Sequence, residues 1–138
     1  MIWSEIMDFQ ELWSTLLYFV VLMGVTVGCM AIFELITPFN DREEMKNGNT
    51  AVAIQFAGKI VGLSLVMFSS IFHNASLLAA SVWGIIGFIL MLIGYFIFEF
   101  LTPAFKVDQE IKNGNNSVAI VAASISLAIG IIVAGSIS

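Results

Sequence analysis

An all-α integral membrane protein, with four transmembrane helices in two tandem hairpins of the same orientation, is the fold the sequence predicts, and three observations predict it. Hydrophobic residues make up 59% of the 138 residues and charged residues 11%, a balance that a soluble domain of this size could not hide from water. Four apolar stretches, at about 16–37, 51–72, 77–101 and 117–137, each hold the roughly 20 residues needed to cross a hydrocarbon core about 30 Å thick. The third observation is an internal repeat. Phe-Glu-Leu-Ile-Thr-Pro at 33–38 returns as Phe-Glu-Phe-Leu-Thr-Pro at 98–103, and the Glu-x-Lys-Asn-Gly-Asn motif that starts at Glu44 returns at Glu110. Each copy carries two spans, an even number, so both copies insert the same way and their pseudo-symmetry axis runs along the membrane normal. The chain divides into an N-terminal segment (1–13), a first two-helix repeat (14–73) and a second (74–138).

The N-terminal segment places Ile2, Trp3, Ile6, Phe9 and Trp13 at helical spacing opposite Glu5, Asp8 and Glu11. This pattern predicts a short amphipathic helix lying on the outer membrane surface, with a frayed polar terminus as the alternative. It lacks the basic start of a secretory signal and is expected to be retained. Orientation follows from the basic residues. Arg42 and Lys46 lie between the first two spans, and Lys106 and Lys112 lie between the last two. The N-terminal segment, the 72–77 turn and the C-terminus contain no Lys or Arg. The positive-inside rule therefore predicts cytoplasmic charged loops and both termini outside. Trp3, Trp13 and Trp83 fall near the predicted outer ends, where an interfacial aromatic belt would place them.

The loops have readable chemistry. Pro38 and Pro103 cannot continue the helices before them. Residues 40–48 resemble one or two helical turns, with Asn40 as N-cap, Glu43 at the capping-box position and Gly48 as the left-handed residue after the C-terminus. Asn47, Gly48 and Asn49, and their copies Asn113, Gly114 and Asn115, are turn and cap residues, with Asn49 or Thr50, and Asn115 or Asn116, capping the next span. Asp41, Arg42, Glu43, Glu44 and Lys46 in one loop, with Lys106, Asp108, Glu110 and Lys112 in the other, predict a solvated, salt-bridged surface suited to docking a partner.

Three charges fall inside the apolar stretches. Counting 1.5 Å per residue puts Glu34 and Glu99 roughly 5 Å below the loop-side surface and Lys59 about 12 Å deep. A charge at that depth costs roughly 2.5 to 3.5 kcal/mol on insertion scales, so Lys59 should face the bundle interior or water. Side chains lean toward the N-terminus of their own helix, and on antiparallel spans this brings Glu34 and Lys59 toward each other as an ion pair. The residue matching Lys59 in the second copy is Ile125, so Glu99 has no lysine of its own. It could share Lys59, carry a proton, bind a cation, accept from a helix N-terminus or reach interfacial water.

Gly24 and Gly28, Gly58 and Gly62, and Ser126, Gly130 and Ala134 form small-xxx-small patterns that let membrane helices approach closely, within one chain or between copies. Cys29 is the only cysteine and His73 the only histidine, so no internal disulfide, histidine–cysteine metal site or catalytic pair is expected. No catalytic set, cofactor site or nucleic-acid patch is expected either. The two charged motifs resemble the YjfL-like family of small bacterial inner-membrane proteins, built on domain of unknown function three-fifty, a two-span unit found in tandem. The resemblance covers both hairpins and implies four spans in a bacterial inner membrane. Its gene neighbourhoods imply a link to envelope stress and partner binding. The expected function is a non-enzymatic, oligomeric scaffold or partner-docking subunit; the alternative is a small channel or proton-coupled transporter using Glu34, Glu99 and Lys59.

Overall fold

The structure is a computed structural model that describes residues 8–36, 40–101 and 107–137. Four helices are long and apolar enough to cross a membrane: α1 (Phe9–Ile36), α3 (Thr50–His73), α4 (Leu77–Leu101) and α6 (Asn116–Ser136). Two six-residue helices, α2 (Asp41–Lys46) and α5 (Val107–Lys112), lie in the charged loops. Thr37, Pro38, Thr102, Pro103 and Lys106 fall outside the described residues, as do Ile2, Trp3, Glu5 and Ile6 of the N-terminal segment. Phe9–Trp13 form the first turns of α1 itself, which continues without a break into the span.

Local chemistry sets where the helices begin. The Asn40 side chain accepts from the Glu43 amide at 3.2 Å and caps α2. Asn49 caps α3 by accepting from Val52, and Asn115 caps α6 by accepting from Val118, both at 3.3 Å. These bonds satisfy amides that a helix start otherwise leaves without partners. Gly48 (φ 86°) and Gly114 (φ 85°) take the left-handed conformation that turns each short helix into the following span.

The largest interface joins the two repeats. It is formed by α3 and α6, which run parallel, rather than by the two helices of either hairpin. Small residues explain the close approach. A Cβ added to Gly58 would stand 2.6 Å from Ala123 Cα, and one added to Gly130 would stand 2.6 Å from Gly62 Cα. Hydroxyls reinforce the end opposite the charged loops: Ser69 donates to the Ala134 carbonyl across α3 and α6, and Ser70 to the Ala80 carbonyl across α3 and α4. His73 sits there too, exposed, its Nδ1 2.9 Å from the Ser69 carbonyl.

Helix α4 covers this seam, and α1 packs mainly on α4. One apolar core gathers Leu22, Phe33, Leu63, Val66, Phe88, Met91 and Val133; a second, at the charged-loop end, gathers Ala51, Val52, Val107, Ile111, Ala119 and Ala122. The short helices belong to that second core. They lie over the ends of α3 and α6 with one face buried, so the loops form a lid on the bundle.

Candidate functional site

Under that lid lies a buried polar cluster built by both repeats. Lys59, on α3, is 1% exposed, and its ammonium lies 5.4 Å from the centre of the Phe33 ring and 5.1 Å from that of Tyr95. Phe33 comes from α1 and Tyr95 from α4, and their rings meet edge to face at 6.5 Å. Aromatic faces attract a desolvated cation, so the two rings replace part of the hydration that Lys59 lost on burial.

Carboxylates surround this cage. Asp41 comes first among those whose charge acts on Lys59, followed by Asp108 and Glu99. The charge of Glu34 acts on Asp41. A short relay runs alongside: Gln55 Nε2 donates to the Tyr95 hydroxyl at 3.3 Å, and that hydroxyl donates to Asp108 Oδ1 at 2.9 Å. Glu99 stands beside Tyr95 and Asp108. Thus α1, α2 and α3 of the first repeat meet α4 and α5 of the second around one lysine.

Asp41 departs from its sequence reading. A solvated docking residue was expected, but the side chain is 3% exposed, because α2 presses its first residue against the ends of the spans. A residue so buried cannot face a partner. Burial pushes its carboxyl above the ordinary aspartate range; Lys59 pulls it back, while Glu34 and Asp108 push it further up.

The remaining loop residues divide. Arg42, Glu43 and Lys46 are exposed. Glu44 accepts from the Asn49 amide group at 3.2 Å, and Glu110 accepts from that of Asn115 at 3.1 Å, an arrangement repeated in both copies. Asn49 also donates to the Lys112 carbonyl at 2.8 Å, which ties the two turns together. Glu44, Asn47, Gly48, Lys112, Asn113 and Gly114 line one shallow cleft between the turns.

Sequence reasoning missed Gln55 and Tyr95. Comparing the copies finds Gln55. The short helices align Asp41 with Val107, and the following spans align Gln55 with Val121 and Lys59 with Ile125. All three polar positions of the first copy are apolar in the second, so one polar site is built per pair of repeats.

A profile of the family described as "Domain of Unknown Function (DUF350)" matches residues 6–137. The chain belongs to the DUF350 family. Among its relatives, the UPF0719 transmembrane protein YshE of Bacillus subtilis (strain 168) is 43% identical over 128 residues, 93% of this chain and 96% of YshE. The UPF0719 inner membrane protein YjfL of Escherichia coli (strain K12) is 26% identical over 114 residues, 83% of this chain and 85% of YjfL. No solved structure matches. Family membership and four apolar helices together make this an integral membrane protein in contact with the lipid bilayer.

Proposed function

We propose that this DUF350 protein is a non-enzymatic scaffold of the bacterial inner membrane that self-assembles and presents its paired charged loops to a cytoplasmic or membrane partner. The orientation follows the positive-inside rule, with loops cytoplasmic and termini outside. The outward face of α1 carries the reading. Gly24 and Gly28 are exposed, with nothing within 4 Å of where a Cβ would stand, unlike the glycines of the α3–α6 seam. Within its span α1 is 17% buried, against 44% for α3. Lipid is as apolar as leucine, so helix association in a bilayer relies on close packing, and small residues supply it.

Native mass measurement in lipid nanodiscs tests the assembly. Wild type is expected as an oligomer, and Gly24→Leu with Gly28→Leu is expected to shift it toward the 15.0 kDa monomer with helix content unchanged. A wild-type monomer, or an assembly indifferent to both leucines, would remove the proposal.

The buried cluster favours a second reading, a small channel or proton-coupled transporter using Glu34, Glu99 and Lys59. Intramembrane charges facing a bundle interior commonly mark ion or proton pathways. Liposome flux decides it: flux in wild type should fall in Glu34→Gln, Glu99→Gln and Lys59→Met. Flux unchanged in all three rejects the mechanism.

A further inference from the structure

We propose that the Asp41 carboxyl is a proton-binding site, a buried acid that takes up and releases one proton beside Lys59. The site is independent of both readings above, since a proton can be held without being moved across the membrane and without any partner.

The geometry carries it. Asp41 is nearly as inaccessible as the apolar side chains around it, and its Oδ1 is buried with no hydrogen-bond partner among the described residues. An ionised carboxylate with an unsatisfied buried oxygen is costly, and the neutral acid is far less so. Position 41 is also an interior position by construction. Its counterpart Val107, the first residue of the matching short helix, is 6% exposed. The fold needs an apolar side chain there, and the first repeat places an acid instead.

The surrounding charges reinforce the demand. Lys59 faces Asp41 from α3, Glu34 from the end of α1 and Asp108 from α5, while Glu99 on α4 acts on Lys59. Among the described residues, Glu34 and Asp108 add negative charge beside Asp41, so ionising Asp41 as well is opposed by both. Among the described residues, no three His, Cys, Asp or Glu side chains gather closely enough to hold a metal ion, and the proton needs no such set. Burial raises the affinity of Asp41 for that proton. Glu34, Glu99 and Asp108 are only half-buried.

Infrared difference spectra recorded against pH, on the full chain in nanodiscs, test the assignment. As the pH is lowered, wild type is expected to show the carbonyl stretch of a protonated carboxyl already above the ordinary aspartate range. Asp41→Asn should lose it, and Glu34→Gln, Glu99→Gln and Asp108→Asn should keep it. Should Asp41→Asn fail to fold, Asp41→Val with Lys59→Ile copies the second repeat's own pair and should lose the band in a folded protein. Thermal stability supplies a second readout. The folded chain keeps a proton that the unfolded chain releases above about pH 3.9, so the Asp41 contribution to stability falls as pH rises toward its raised folded value. Either Asp41 variant should flatten that slope. A band that survives removal of Asp41, that vanishes in Glu99→Gln or Asp108→Asn, or that sodium displaces at constant pH would overturn the proposal.

Discussion

Lys59→Ile alone is expected to destabilise the protein by about 3–5 kcal/mol, the usual result of removing one partner from a buried charge cluster. Adding Asp41→Val should recover a large part of that loss. Two facts lead to this expectation: Asp41 is first among the carboxylates acting on Lys59, and both side chains are almost fully buried. The isoleucine and valine are those that the second repeat already uses at 125 and 107. Once both side chains are gone, neither the ammonium nor the acid has to be buried, and replacement of a buried polar pair by apolar residues is often neutral. Glu34→Gln in the same Lys59→Ile background should recover less, because Glu34 is only half-buried whereas Asp41 is almost fully buried. Unfolding titrations in mild detergent give the double-mutant cycle directly. Strictly additive losses for Asp41 and Lys59 would show that they are not coupled.

That cycle also marks the boundary of what the sequence discloses. Hydropathy located the spans because a membrane helix must satisfy its backbone internally and turn apolar side chains to lipid, which leaves long uninterrupted runs. The start of α3 was legible to within one residue because Asn49 and Thr50 both suit the cap position, and the geometry selects Asn49. Asp41 was harder. A six-residue helix has too few turns for periodicity to show which face is buried, and its neighbours Arg42 and Glu43 do face solvent. An acid in such company reads as solvated. Lys59 was placed in the interior on depth alone, but its surroundings depend on which helices adjoin it. Hairpin reasoning offered Glu34 of the same repeat; α4 also brings Tyr95 and α5 brings Asp108 from the other. Gln55 was visible as a polar group in an apolar run, and its meaning emerges when the two copies are compared; that of Tyr95 emerges only from its place beside Lys59 and Gln55.

Gly130→Ala is expected to destabilise by about 1–3 kcal/mol, and Gly130→Leu to prevent the native packing, although both leave polarity unchanged. The added Cβ would lie 2.6 Å from both Cα and O of Gly62. These are backbone atoms of a neighbouring helix, so no side-chain rotation relieves the contact and α3 must move away from α6. Gly58 is equally confined, against the backbone of Ala123. Gly94 differs: its Cβ would meet only the Ile129 side chain, which can turn, and Gly94→Ala should cost less. Gly24→Ala has open space and should change monomer stability by under about 0.5 kcal/mol. Unfolding of the three alanine variants side by side checks the order, and equal losses at 24 and 130 would deny the seam its role. The consequence reaches the charge cluster. Gln55 and Lys59 lie on the same helix as Gly58 and Gly62, so a displacement of α3 away from α6 also displaces the helix that carries Lys59 toward the Phe33 and Tyr95 rings. In the second repeat the position of Lys59 is held by Ile125, on the helix that supplies the other side of the seam. The close packing of one charged and one apolar copy of the same span therefore fixes the helix that carries Lys59, and the rings of α1 and α4 cover its ammonium.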